Sequence, residues 1–404
     1  MQTQTVHTTI NLEEFLTKLF AKLISQKDQF ALWRKPHSHT LNILIDQTGI
    51  TKRVIPQLES LEEGFIIHPF LDQDDKKAFF LEKSVFIKIN LAENQLETYP
   101  DEKILSEKFE EAKEILKNFF TEKKDKKTSH TKLTATAKED FIELVEKGIQ
   151  EIKEGKLSKI VPAKVKKLAY SDSFDLVTAI QSMLKAYPNA FINFFHLPEV
   201  GTWIGASPEV LIQTKGDQFH TMSLAGTQRA RGDNPLKSVA WTQKEIEEQA
   251  LVSRYIVDCF KRIRLREYEE IGPKTVIAGN LLHLKSDFKV NMKATNFPQL
   301  GSVMLELLHP TSAVCGMPRQ EAFDFISKNE SFDRSLFAGF IGPVNIEEET
   351  SLYVNLRTAQ LLCGAALLYA GAGVTEDSDP EKEWEETELK CEIIASHLNL
   401  KELN

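Results

Sequence analysis

Acidic residues spaced three apart occur in KEIEEQ (244–249) and again in EKEWEETELK (381–390). On a helix, Glu245 with Glu248, and Glu383 with Glu386, would each share one face, and Lys390 follows Glu386 by one turn. Acidic pairs of this kind usually mark a solvated face. The second pair stands apart because of what precedes it. LLYAGAGVTEDSDP (367–380) runs an apolar strand into Gly371-Ala372-Gly373 and then into Asp379-Pro380. Asp as N-cap followed by proline at the first helical position is a helix-entry signal. Glycines at a strand end admit close approach by a ligand and can present N–H groups to an anion. A glycine turn beside helix carboxylates suits a cation bridging protein and substrate carboxylates, and oxygen-only ligands point to Mg²⁺. A plain tight turn accounts for the glycines equally well.

Two further residues could move protons. Lys159 opens the apolar run KIVPAKVKKLAY (159–170). Such a lysine either snorkels to the surface or, if buried, loses its charge readily enough to act as a base. Glu209 follows a Gly-Ala-Ser-Pro turn in WIGASPEVLIQ (203–213). At a wet strand edge it would be an ordinary carboxylate; desolvated, it would hold its proton and could serve as an acid. SLAGTQRARG (223–232), with Gly226-Thr227 after a short strand and Arg229 and Arg231 close by, and HPTSAVCGMP (309–318) read as constrained loops.

Positioning these residues requires many elements. Residues 1–120 read as mixed helix and strand, with a helix over 11–26, strands at 64–70 and 84–91, and a helix over 103–120. Residues 121–134 form a polar, Lys-rich exposed loop. From 135 to 404 the pattern gives helices at 137–154, 175–187, 240–264, 298–307, 319–328 and 380–398. Strands are expected at 159–170, 190–196, 201–205, 209–214, 218–223, 273–280, 283–291, 337–345, 351–357 and 361–370. Runs of strands broken by long helices argue an α+β fold with large antiparallel sheets.

Bulk properties narrow the function. The 404 residues are 42% hydrophobic and 27% charged, ordinary for a globular chain. The 25 Phe read as core packing. A net charge of −9 with no long basic stripe argues against nucleic acid. It also means that a site for an anionic substrate must bring its own positive charge. The four cysteines (Cys259, Cys315, Cys363, Cys391) lack metal-ligand spacing and read as free buried thiols of a reducing cytoplasm. No signal peptide and no membrane span are expected.

These residues together carry a resemblance. Lys159-Ile-Val, GASPEVL (205–211), LAGT (224–227), KEIEEQ, HLKS (283–286), HPTSAVCGMP, FDRSLFAGFIGP (332–343), Arg357, AGAGV (370–374) and EWEETELK (383–390) occur in the order seen in chorismate-utilising enzymes. The chain resembles that family over roughly residues 137–398, and the first 120 residues look like the variable N-terminal part of the same fold, one compact domain overall. The resemblance implies two large antiparallel sheets packed as a sandwich with helices outside. It implies Lys159 as the base that activates water for attack at C2 of chorismate, and Glu209 as the acid that protonates the departing C4 hydroxyl. Glu248 and Glu386 would contact Mg²⁺, with Glu245 and Glu383 holding its waters. His283 would lie beside the ring, and Arg357 and Lys390, with the backbone at Gly371 and Gly373, would hold carboxylates. Gly226 and Thr227 would line the pocket near the point of attack.

The family divides by nucleophile. The base lysine is present, unlike in members similar to anthranilate synthase, and Ala225 stands where aminodeoxychorismate synthases carry Lys. Salicylate synthases carry a Tyr where this chain has Phe337 and a Thr where it has Ala313, hydroxyls that can hold the pyruvyl group for elimination. The resemblance therefore implies isochorismate as the product, without a glutamine amidotransferase subunit; menaquinone synthesis is the expected destination with siderophore synthesis as the alternative, and the lack of a long apolar surface helix points to a monomer. Salicylate formation is the alternative. Two departures from the family pattern stand out: Val161-Pro162-Ala163-Lys164 where Val-Leu-Ala-Arg is usual, and Gln249 in place of a His.

Overall fold

A computed structural model describes residues 8–71, 77–97, 108–121, 135–230, 234–278 and 281–402. Residues 122–134 of the Lys-rich stretch, and Arg231, lie outside the described residues.

The described residues form an eleven-stranded and a nine-stranded sheet with helices around them, the α+β arrangement expected. The centre of the larger sheet runs Gln29–Arg34, Phe191–Leu197, Gly201–Ser207, Thr358–Leu361, Ala365–Gly371 and Ala163–Tyr170, each antiparallel to the next. The smaller sheet is centred on Leu281–Asn291, Gln218–Arg229, Val210–Lys215, Glu349–Val354, Phe340–Val344 and Gly64–His68. The first 97 residues thus supply strands to both sheets.

Strand FINFFHL (191–197) shows why the core holds. Successive side chains point to opposite faces, and all seven residues are buried. Phe191 and Phe195 join Trp203, Ile212, Tyr353 and Tyr369 in one apolar cluster. Ile192 and Phe194 join a second, with Phe20, Ile180 and Ile394 from the helices Leu12–Gln26, Leu176–Ala186 and Pro380–Ala395. Both faces are covered, so even Asn193 and His196, the two polar residues among five apolar ones, are buried.

Several boundaries differ from expectation. The strand expected at 361–370 is a hairpin, Thr358–Leu361 and Ala365–Gly371, turned by Cys363 and Gly364, the latter at φ 80°. Cys363 at that turn is exposed, against the expectation of four buried thiols; the other three are buried, and none of the four forms a disulfide. The run 159–170 breaks at Val161-Pro162: Lys159–Ile160 pairs with Gly316–Met317, and Ala163–Tyr170 joins the large sheet. Proline has no N–H to give a ladder. The strand expected at 218–223 continues to Arg229, through LAGT. Strands Gln29–Arg34, Thr40–Asp46, Lys52–Val54 and Ala78–Glu82 were not individually expected. Among the described residues no helix is long and apolar enough to cross a membrane.

Helix Pro380–Ala395 begins as its sequence dictates. Asp379 accepts from the N–H groups of Glu381 and Lys382 at 3.0 and 3.4 Å, and Pro380 needs no donor. Glu383, Thr387, Cys391 and Ile394 form its buried stripe. Replacing Asp379 with Ala removes the cap. The expected loss is about 1 kcal/mol, read as a lower melting temperature, with Asp379→Asn melting close to wild type.

Candidate active site

Glu209 sits at the exit of Gly201–Ser207 from the large sheet, one residue before Val210–Lys215 enters the small one. Its N–H donates to Ser207 Oγ at 3.4 Å, and its carbonyl accepts from Val354 N–H at 3.1 Å. Glu209 is therefore not a wet edge residue but only 4% exposed. Burial pushes its carboxyl up to about 8, although Lys159, Arg357 and Lys390 are near enough to pull it down. The group is neutral at pH 7 and carries a proton to give.

Lys159 is fully buried and does not snorkel. Its Nζ donates to Glu248 Oε1 at 2.9 Å. The other carboxylate oxygen, Glu248 Oε2, accepts from Gly226 N–H at 3.2 Å. Burial pushes the Glu248 carboxyl up, but the Lys159 ammonium outweighs this and holds it below the usual range. The strand Gln218–Arg229 shifts register against its neighbour between Ala225 and Gln228, and Gly226 there adopts φ 70°, a left-handed conformation that glycine accepts freely. The Gly226 carbonyl meets His283 Nδ1 at 2.6 Å. A carbonyl only accepts, so Nδ1 carries the proton and Nε2 accepts from Arg357 Nη2 at 3.1 Å. Burial and the Arg357 cation hold His283 neutral, down to about 3. Burial also lowers Arg357, to about 10, against the pull of Glu386.

Helix Gln243–Arg262 brings Glu248 in, while helix Pro380–Ala395 brings Glu383, Glu386 and Lys390. Lys390 Nζ lies 2.7 Å from Glu386 Oε1 and donates to the Gly371 carbonyl at 2.8 Å. Glu383, 1% exposed, pairs through Oε1 with Lys244, while its Oε2 is buried without a partner. Burial and the nearby Glu386 charge raise its carboxyl. Gly373 fills no space of its own: a Cβ there would lie 2.2 Å from Glu248 Oε1. Any larger residue would drive Glu248 off Lys159.

One cavity is lined by Glu209, Gly226, Thr227, Glu248, His283, Ala313, Phe337, Arg357, Gly371, Gly373 and Lys390. Lys159 joins it through Glu248, and Glu386 through Lys390. Glu245 flanks Gly226 too, with its Cβ 3.1 Å from where a Gly226 Cβ would be. Its carboxylate, however, is turned to the start of its own helix, where Oε2 accepts from Thr242 N–H at 2.8 Å in a capping box. Glu383 faces Lys244 behind the cavity wall. Gln249 points elsewhere, its Nε2 donating to Ser223 Oγ at 2.8 Å.

Sequence reasoning missed three participants. Lys244 begins the KEIEEQ motif and was legible as a cation next to acids, but its partner lies 139 residues away. Arg334, within FDRSLF, is 2% exposed. It ties the carbonyls of Val161 and Val314 together at 2.7 and 2.8 Å and pairs with Glu330. Tyr369 lines the cavity two residues before Gly371.

The description "chorismate binding enzyme" belongs to the family profile that matches residues 78–399. The chain is a member of the chorismate-binding enzyme family. It is 31% identical over 213 residues to isochorismate synthase EntC of Escherichia coli, covering 51% of this chain and 54% of that one. It is 29% identical over 255 residues to the vibriobactin-specific isochorismate synthase of Vibrio cholerae, covering 61% and 63%. The chain thus spans between half and two thirds of the lengths of these relatives. The structure of MenF, the menaquinone-specific isochorismate synthase of E. coli, superposes with a TM-score of 0.71 at 20% identity, over 97% of this chain and 93% of that one. The fold is shared throughout.

Glu209 makes stability depend on pH. Its carboxyl loses its proton near 4.5 when unfolded and near 8 when folded. Between these values the folded chain binds a proton that the unfolded chain has released, so stability falls as pH rises from about 5 to 8. Glu209→Gln lacks this term. The melting temperature of the variant relative to wild type is expected to climb steadily over that window; a flat difference would show that Glu209 is ionised in the folded state.

Proposed function

We propose that this chain is an isochorismate synthase, converting chorismate to isochorismate by adding water at C2 and expelling the C4 hydroxyl. The observation that carries the reading is a neutral, buried Glu209 carboxyl in the cavity that is also lined by Glu248, the partner of the buried Lys159. Acid and base of different chains of elements then face one ligand, as a paired proton delivery and removal requires. Likeness to the isochorismate synthases named above supports the same reading.

In the complex Lys159 first cedes a proton to Glu248 across their 2.9 Å contact; water then attacks C2 as its own proton passes to the freed amine, which leaves the extra proton on Glu248. The C4 hydroxyl departs as water, taking the Glu209 proton with its bonding electrons. One proton is taken up and one given, so a single transfer back through solvent restores both groups. Arg357, oriented by His283 Nε2, and Lys390, held by Glu386 and the Gly371 carbonyl, supply positive charge for the ligand carboxylates. Leu224 and Ala225 present no amine to the cavity, which supports water as the nucleophile. Phe337 and Ala313 present no hydroxyl, which supports retention of the pyruvyl arm.

Mg²⁺ fits the donor chemistry. Glu383 and Glu386 crowd each other enough to raise Glu383, and Glu383 Oε2 is a buried oxygen without a partner. Among the described residues no three His, Cys, Asp or Glu side chains converge into a site of their own. Glu248 and Glu386 would hold the ion, with Glu383 one turn earlier on the helix of Glu386, and Mg²⁺ commonly keeps several waters in its shell. Bound there, it would neutralise the ring carboxylate and the surrounding glutamates.

Purified protein with chorismate and Mg²⁺ is expected to yield isochorismate with little pyruvate. Lys159→Ala and Glu209→Gln should each lower kcat by about 10²–10⁴-fold with the fold retained. Wild-type kcat/KM should decline above pH of about 8, where Glu209 surrenders its proton. Near wild-type turnover by either variant would overturn the mechanism. Abundant pyruvate with fluorescent salicylate would replace it by the salicylate reading.

A further inference from the structure

Lys244 is the second residue of helix Gln243–Arg262. The start of a helix carries partial positive charge, which favours acids and disfavours a lysine there. Its neighbour Glu245 follows that rule; Lys244 does not. Its ammonium instead crosses to the other helix of the site and pairs with Glu383 Oε1. Glu386, one turn further along that second helix, and Glu248, one turn further along its own, are near enough to attract the same charge.

These three carboxylates are the ones whose chemistry suits a divalent cation. Lys244 thus already bridges, as a single charge, the helix of Glu248 and the helix of Glu386. The other two lysines of the site are tied down. Lys159 is fully buried on Glu248, and Lys390 also donates to the Gly371 carbonyl at 2.8 Å. Lys244 is looser. Its side chain is 25% exposed, and Glu383 is its one hydrogen-bond partner among the described residues. A flexible four-carbon stem lets such an ammonium leave for water without any movement of the helix.

We propose that the Lys244 ammonium is a built-in competitor of the metal, holding Glu383 in the free protein and swinging out to solvent when Mg²⁺ is taken up. The choice of Mg²⁺ rests on the isochorismate synthase reading; the exchange itself requires only a divalent ion at these glutamates. Two cations repel each other at this range, so they cannot both be held at full strength by the same carboxylates. The lysine keeps crowded glutamates balanced while no metal is bound, and it lowers the metal affinity of the free protein as a consequence.

Calorimetric titration with MgCl2 at constant ionic strength, without chorismate, tests this on wild type, Lys244→Met, Lys244→Gln and Lys244→Arg. The Met variant keeps most of the stem and loses the charge; the Gln variant serves if Met does not fold. Each neutral variant is expected to bind Mg²⁺ about tenfold or more tightly than wild type, and Lys244→Arg to stay within about threefold of it. Saturating Mg²⁺ should then raise the melting temperature of a neutral variant by more than it raises that of wild type. Equal or weaker Mg²⁺ binding by the neutral variants overturns the proposal, and weaker binding would mean that Lys244 orients Glu383 for the metal. No Mg²⁺ binding by any of the four proteins overturns both the exchange and the metal fit. Wild-type protein that binds Mg²⁺ but leaves chorismate unconverted defeats the synthase reading alone, and the ratio of the Mg²⁺ dissociation constants still decides the role of Lys244.

Discussion

A lysine and a glutamate, both withdrawn from water, set the geometry of this molecule's cavity. Lys159 is 0% exposed and its Nζ is 2.9 Å from Glu248 Oε1. Neither charge could be buried alone, because removing one partner from such a pair leaves an uncompensated ion and typically costs about 3–5 kcal/mol. The pair therefore obliges two distant pieces of chain to meet: the short strand Lys159–Ile160 and the helix Gln243–Arg262. Glu248 then fixes more than Lys159. Its second oxygen takes the Gly226 N–H, Gly226 turns its carbonyl to His283, and His283 receives Arg357. Along this chain of contacts each donor has one acceptor, so the imidazole tautomer and the guanidinium orientation follow from the first ion pair.

Charge balance explains how an acidic protein can welcome an acidic ligand. Glu248 answers Lys159, Glu383 answers Lys244, and Glu386 answers Lys390. Arg357 faces a histidine that burial keeps neutral and a glutamate, Glu209, that burial also keeps neutral. Local positive charge thus survives in a chain whose net charge is −9. The same desolvation that strips Glu209 of its charge makes it an acid, so one physical cause serves both binding and proton transfer. Were Glu209 exposed, it would ionise, repel the ligand and have no proton to give.

Much of this was legible because the informative residues sit in short local patterns. Asp379-Pro380 announces a helix start, and i, i+3 spacing places Glu383 and Glu386 together on it. Glycines in AGAGV mark a backbone that something must approach, and that something is Glu248. What was not legible depends on pairing across long separations. Strands Gln29–Arg34 and Thr40–Asp46 carry no chemistry, and their place beside Phe191–Leu197 is set by sheet order. Glu245 has the spacing of a partner to Glu248, but Thr242 three residues earlier claims its carboxylate for the helix cap. Local capping and distant ligation compete for the same side chain, and the short-range bond is the one formed here. Tyr369 reads as a core aromatic in LLYAG, which it is; only the packing shows that its oxygen lacks a partner.

The first part of the chain belongs to the same physical argument. Strand Gly64–His68 pairs with Phe340–Val344, which in turn pairs with Glu349–Val354 ahead of Arg357. His68 stacks on Phe340 at 4.7 Å with 9° between planes and meets His309 edge-on at 4.9 Å. His309 opens the loop whose Ala313 and Val314 line the cavity. On the other sheet, Gln29–Arg34 covers the edge of the Phe191–Leu197 hairpin that delivers Glu209. A segment without any of the reacting groups is therefore built into both walls of the site. Its sequence is free to vary at the surface, but its strands must keep their register, because a one-residue slip would turn Phe65 and Trp33 out of the core and unsupport the strands beside them.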